Sequence, residues 1–169
     1  MSDKLTQERL LEVLHYNPDT GIFTWAKKYC DKVVVGAEAG SDDPRGYRII
    51  YIDGHNYRAH HLAFLYMRGF FPEEVDHENL RPSNNQWLNL REAEHFQNCQ
   101  NVVKRKNNKS GRKGVHWRKD TQKYQVQIRC QKKVYSLGCY TDLDIAAAVY
   151  DQAALKYHGK FSNLNGTSK

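Results

Sequence analysis

The sequence predicts an α+β protein built in two modules, and three observations carry that reading. Past residue 112, three short β-type runs (114–118, 124–129 and 134–137) are separated by the polar turns KDTQ and CQKK. One Ala-rich helix over 142–158 follows them, so three strands and a helix form a small α+β layer. In the first half, a β-rich run over 47–52, the turn signal Asp53-Gly54 and a return over 57–61 make a hairpin. Charge divides the same way. Residues 1–101 carry 11 Lys/Arg against 15 Asp/Glu, a net of −4, whereas 102–169 carry 15 against 4, a net of +11. The predicted domains are 1–101, a basic linker over 102–112, and 113–169.

At 169 residues and a net charge of +7, the chain is long enough for a real core in each module, and its charge favours a polyanionic partner. Cys30, Cys99, Cys130 and Cys139 are scattered with no C-x-x-C pair, which argues against a zinc site or disulfide framework and for reduced thiols. No charged-then-apolar leader opens the chain, and no apolar run approaches the roughly 18 residues needed to span a bilayer. The expectation is a soluble, intracellular protein.

Leu10, Leu11, Val13 and Leu14 after Thr6 predict a short amphipathic helix with Thr6 as N-cap, ending at the turn NPDTG (17–21). A short strand over 22–25 follows, then a loop over 29–45. Leu62, Ala63, Leu65 and Tyr66 predict a helix that Gly69 closes in the left-handed conformation. Pro72 sends the chain on into Val75-Asp76-His77, and residues 91–102, free of turn formers, read as a helix.

The stretch 58–101 holds the chemistry. Asp76 and His77 are adjacent, Asn89 lies twelve residues beyond His77, and Asn98 nine further on. A carboxylate, an imidazole and amide oxygens brought together could hold a hard divalent cation and activate a water beside it. Taken singly, each has an ordinary reading: Asp76 as a turn carboxylate, His77 as a structural histidine, Asn89 as a loop pin, Asn98 as a solvent-facing residue.

Together, V-D-H (75–77), N-x-W-x-N-L (85–90) and N-x-x-N (98–101), preceded by A-H-H-L-A (59–63), resemble an HNH homing-type endonuclease with a ββα-metal site. Such proteins are common in phage genomes and mobile introns. The resemblance covers roughly residues 5–101. It implies that Asp76 and Asn98 ligate one Mg²⁺ or Mn²⁺, that His77 takes a proton from the attacking water, and that Asn89 holds the loop orienting His77. The implied products carry 3′-hydroxyl and 5′-phosphate ends. Glu78 stands where the family often has a non-acidic residue, and Asn98 where many relatives have His, leaving an all-oxygen ligand set. His95, three residues before Asn98, is a further candidate ligand. His60 matches a recurrent family position, with a structural or phosphate-contacting role.

In the second half, K-G-V-H-W-R (113–118), K-Y-Q-V-Q-I-R (123–129), V-Y-S-L-G (134–138), AAVYDQAAL (147–155) and G-K-F-S-N-L-N (159–165) resemble the plant ethylene-response-factor (Apetala-type) DNA-binding domain. That family lays a three-stranded antiparallel sheet, backed by one helix, into the major groove. Strand alternation independently sends Val115, Trp117, Tyr124, Val126, Ile128, Tyr135 and Leu137 toward the helix. The opposite face then shows His116, Arg118, Gln125, Gln127 and Arg129, with Lys113 and Lys123 as further DNA-binding candidates. Residues 102–141 hold 12 Lys/Arg and one acidic residue.

The expected partner is double-stranded DNA, nicked by a monomer; cleavage of both strands would require a DNA-induced dimer. A phage-encoded protein would work in the host cytoplasm. The alternatives are a non-cleaving DNA-binding regulator with a vestigial nuclease half, and an RNA-binding or RNA-cleaving protein whose Tyr and Trp stack bases.

Overall fold

The computed structural model describes residues 5–28, 30–101, 104 and 108–166. It is a mixed α+β chain of small antiparallel sheets, dividing into two compact units, 1–93 and 94–169. The division falls before the predicted boundary at 101. Within the second unit, Lys113 Nζ donates to the Gln100 carbonyl at 3.0 Å and Gln100 Nε2 lies 3.9 Å from Cys130 Sγ, so residues 94–101 are tied to the later sheet. Most of the predicted linker, at 102, 103 and 105–107, lies outside the described residues, as does Tyr29 of the predicted loop.

The first unit opens with α1 (Gln7–Val13), capped as expected by Thr6, whose hydroxyl accepts from the Arg9 N–H at 3.2 Å. The helix stops at Val13. Leu14 belongs to β1 (Leu14–Asn17), which pairs antiparallel with β2 (Ile22–Trp25) around the NPDTG turn. A second sheet runs in the order β3 (Ser41–Asp42), β4 (Arg48–Ile52), β5 (His55–Arg58), with Asp53 and Gly54 both at positive φ in its hairpin turn. α2 (Ala59–Arg68) starts earlier than expected and takes His60 and His61 out of the predicted return strand. It ends at Gly69, φ 78. Leu10, Val13, Leu14, Tyr16, Phe23, Ile50, Ile52, Leu62, Ala63 and Leu65 form one core in which both sheets and both helices meet.

The segment predicted as a helix over 91–102 divides in two. β7 (Leu90–Ala93) pairs antiparallel with β6 (Glu74–His77), and only His95–Asn98 is helical, as α3. Leu90 and Ala93 are buried on the β6 partner, so tertiary pairing overrides a composition free of strand signals. α3 carries a reciprocal capping box between Glu94 and Gln97.

In the second unit, β8 (Val115–Arg118), β9 (Lys123–Cys130) and β10 (Lys133–Tyr140) form an antiparallel sheet with β9 in the middle. α4 (Leu143–His158) packs across it, N-capped by Asp142, whose carboxylate accepts from the Ile145 N–H at 2.8 Å. Val115, Val126, Ile128, Ala146, Tyr150, Ala153 and Ala154 make the core. Ala148, in the same Ala-rich run, is exposed. Trp117 is half exposed but keeps to the helix side, its ring 4.7 Å from that of Tyr124. Gly114 sits at φ 73 against Tyr150, where a Cβ would come 2.0 Å from the ring, so no larger residue fits. β10 carries a bulge: Ser136 pairs with Gln127 but Gly138 pairs with Val126, leaving Leu137 as the additional residue.

Candidate functional site

The strand pair β6–β7 buries an acid and an imidazole at consecutive positions. Asp76 is 3% exposed and His77 6%. A buried carboxylate needs compensation, and the strand register supplies it, because Asp76 pairs across the ladder with Arg91. Arg91 Nε and Nη2 reach the same oxygen, Asp76 Oδ2, at 2.8 and 2.6 Å. Sequence reasoning missed Arg91 because nothing in the chain order discloses which residue lies opposite Asp76.

His77 lies at the end of β6 among aromatic rings. The His60 ring stands edge-on to it at 4.9 Å, and Tyr47 is tilted at 6.1 Å. Burial pushes its pKa below the usual histidine value, against the opposing pull of the Asn85 hydrogen bond and the Asp76 charge. At neutral pH the ring is therefore uncharged and able to accept a proton. Its Nε2 lies 3.4 Å from Asn85 Oδ1, and Asn85 Nδ2 donates to the Ser83 carbonyl at 3.3 Å. With the amide fixed in that sense, Oδ1 can only accept, so Nε2 carries the proton and Nδ1 holds the lone pair.

The loop between β6 and β7 is held by its own side chains. Asn89 is its clasp: Oδ1 accepts from the Asn79 N–H at 3.0 Å, Nδ2 donates to the Asn84 carbonyl at 2.8 Å, and its carbonyl accepts from the Glu78 N–H at 2.9 Å. Asn79 and Asn84 in turn accept from the N–H groups of Arg81 and Gln86. The first hairpin presses on this loop from outside. Tyr16 Oη donates to the Asn85 carbonyl at 2.6 Å, Trp87 N donates to the Pro18 carbonyl at 2.9 Å, and Gln86 Nε2 to that of Asp19 at 2.6 Å. A Cβ on Gly21, φ 75, would come 2.4 Å from the Asn85 main-chain carbon.

Of the residues singled out from sequence, Asp76, His77 and Asn89 thus share one strand pair and its loop. Glu78 is exposed beside them. His60 is 3% exposed on α2, and burial, with the neighbouring His77, His61 and Arg58 charges, lowers its pKa to about 2. Asn98 and His95 belong to the second unit, on α3, where His95 Nε2 lies 3.7 Å from Cys99 Sγ. Asn85 was missed as a contact of His77, although the motif N-x-W-x-N-L begins on it. Among the described residues, no group of three or more His, Cys, Asp and Glu side chains converges to hold a metal ion. The Asp76 carboxylate is a hard oxygen donor of the kind that suits magnesium or manganese, and Arg91 is already paired with it.

On the second unit, the face of the sheet away from α4 carries paired rows. His116 stands opposite Gln125, Arg118 opposite Lys123, and Gln127 opposite Ser136. His116, Arg118, Lys123 and Arg129 are exposed, and Gln125 and Gln127 half-buried. The Arg118 fork is occupied by Asp120, with Nε to Oδ1 at 2.9 Å and Nη2 to Oδ2 at 2.5 Å. That pairing holds the Asp120 carboxyl down at about 2. Lys113 stands apart from this row: its ammonium also reaches the Asn163 carbonyl, at 3.5 Å.

Compared with protein-family models, with curated proteins and with solved structures, the chain matches none. No helix among the described residues is long and apolar enough to cross a membrane.

Proposed function

We propose that the chain is a metal-dependent DNA endonuclease of the HNH type, with a second, basic module that grips duplex DNA. The observation that carries this reading is the buried, uncharged His77, whose Nε2 proton is committed to Asn85 and whose Nδ1 keeps a lone pair. That is the state required of a general base, a role worth roughly 10²–10⁴-fold in rate. Asp76 beside it would give its carboxylate to one Mg²⁺ or Mn²⁺, which when bound would offset charge developing on the leaving 3′-oxygen. Asn85 fixes the tautomer and aim of His77. Asn89, by tying Asn79 and Asn84, keeps Asn85 in place. The sheet of the second unit, with His116, Arg118, Lys123, Gln125, Gln127 and Arg129 on one face, resembles the ethylene-response-factor domain in pattern and supports binding to phosphates and base edges.

A non-cleaving DNA-binding regulator is the second reading, and the Asp76–Arg91 pair favours it, because the carboxylate is already charge-compensated without a cation. Supercoiled plasmid incubated with Mg²⁺, with and without EDTA, separates the two. The nuclease nicks only without EDTA and leaves 3′-hydroxyl and 5′-phosphate ends, and His77→Ala binds DNA without nicking it. If His77→Ala nicks at the wild-type rate, the general-base assignment is lost.

A further inference from the structure

Where β5 runs directly into α2, the surface holds a cavity of about 400 Å³ lined by Asn56, Tyr57, Arg58, His61 and Phe71. One wall is aromatic: the Tyr57 and Phe71 rings lie 15° from parallel with centroids 6.0 Å apart. The other groups are polar, and among the described residues none of them makes a side-chain hydrogen bond or an ion pair. Arg9, Arg48 and Arg91 of the same unit are each ion-paired with carboxylates. The exposed Arg58 guanidinium instead lies over the Tyr47 ring at 5.0 Å, with no carboxylate on it among the described residues. The Asn56 amide and the His61 ring make no hydrogen bond among the described residues either. Burial lowers the His61 pKa, so at neutral pH its ring offers one donor and one acceptor.

The cavity adjoins the catalytic candidate. The His61 ring is 4.7 Å from that of His60, which is 4.9 Å from that of His77. His61 and His77 are thus separated by no more than those two distances together, about three nucleotide rises at roughly 3.4 Å each along one strand. An inorganic anion would use Arg58 alone, and an apolar ligand the aromatic wall alone. A ligand that uses both carries a negative charge and a flat π-face in one molecule, and a nucleotide has both.

We propose that the cavity at the β5–α2 junction holds one unstacked nucleotide of the strand beside the scissile phosphate, with Arg58 on its phosphate and Tyr57 and Phe71 against its base. Stacking of this kind tolerates every base, because each has a π-face. Asn56 and His61 meet the edge of the base and bias the choice among the four. That the nucleotide belongs to a DNA substrate rests on the nuclease reading above; that the cavity takes a nucleotide does not.

The test uses the full chain in EDTA, so no cleavage is required. Titrations of dAMP, inorganic phosphate and deoxyadenosine are followed by NMR at the His61 ring and the Asn56 side-chain amide. The expected result is that dAMP binds at least tenfold more tightly than either fragment. Arg58→Gln, at an exposed position, reduces dAMP to the affinity of deoxyadenosine. Tyr57→Leu reduces it to that of phosphate, and Tyr57→Phe, which keeps the ring and the packing, preserves it. Equal affinity for dAMP and phosphate, or shifts that bypass His61 and Asn56, overturns the proposal. Binding of dAMP by a chain that does not nick plasmid leaves the nucleotide site standing and removes the nuclease reading. Nicking without dAMP binding removes the site alone. In a duplex carrying 2-aminopurine one to three nucleotides from the cut, wild-type protein raises the fluorescence by unstacking the probe and Tyr57→Leu does not; a rise of equal size with both would place the unstacked base elsewhere.

Discussion

The Tyr16 hydroxyl donates to the main-chain carbonyl of Asn85 at 2.6 Å, and the side chain of that same Asn85 meets His77 at 3.4 Å. A residue of the first hairpin therefore bears on the imidazole through a single intermediary. Burial holds the Tyr16 phenol well above its usual pKa, so it remains a donor at any working pH. Tyr16→Phe leaves a buried carbonyl without its partner, a loss of about 1–3 kcal/mol. We expect a lower urea midpoint and slower nicking at saturating DNA, with the Kd for DNA unchanged. A variant with the lower midpoint but wild-type nicking would show that the hairpin stabilises the loop without aiming His77.

Arg91→Ala removes the counter-charge of a nearly fully buried carboxylate, and breaking such a pair costs about 3–5 kcal/mol. A divalent cation then has the vacated charge to itself. Thermal melting should show the variant well below the wild type in EDTA, and Mn²⁺ should raise its Tm by more than it raises the wild type's. Equal Mn²⁺ shifts in the two proteins would separate Asp76 from metal binding.

Asp120 occupies the Arg118 fork, and in the proposed DNA complex it would compete there with phosphate. Asp120→Asn should tighten duplex binding several-fold at low salt and steepen the dependence of log Kd on log salt by about one unit, as expected for one additional phosphate contact. Fluorescence anisotropy at several salt concentrations measures both. An unchanged slope would take Arg118 out of the interface.

His60 gives the first unit a defined pH response. Its folded pKa of about 2 lies below the ordinary 6.5, so below pH 6.5 the unfolded chain takes up a proton that the folded chain refuses. The stability is fully present above pH 6.5 and is lost as pH falls toward 2. The slope is about 1.4 kcal/mol per pH unit, or about 2 kcal/mol between pH 6.5 and 5. Burial shifts His61 and His77 in the same direction, so they add to the loss. Urea midpoints at pH 7 and pH 5 should drop less in His60→Phe than in the wild type. A drop of the same size would show that His60 does not carry this proton.

What could be read from the sequence was local. Thr6, Gly69, Asp53-Gly54 and Asp142 each mark a boundary through their own backbone or side-chain chemistry, and each stands at one in the structure. The misreadings came where a partner distant in sequence decides. Leu14 extends the apolar run of α1, yet pairing with Trp25 makes it a strand residue. Residues 90–93 lack strand formers and lie in β7 because β6 needs an edge. The site follows the same rule. The spacing singled out Asp76, His77 and Asn89, and the structure places all three on one strand pair and its loop. Arg91 on Asp76 and Asn85 on His77 depend on register and loop closure, which a motif does not encode.

The additional residue at Leu137 makes β10 two half-strands of opposite parity. Before it, odd-numbered positions such as Tyr135 face α4; after it, even-numbered ones such as Tyr140 do, and Cys139 joins Val134 and Ser136 outside. The outward row of β10 is therefore unevenly spaced, two residues and then three. A mutant lacking Leu137 would lose the bulge and keep the faces: Ser136 and Gly138 already pair with the adjacent Gln127 and Val126, so Tyr140 would still face α4 and the outward row would become evenly spaced.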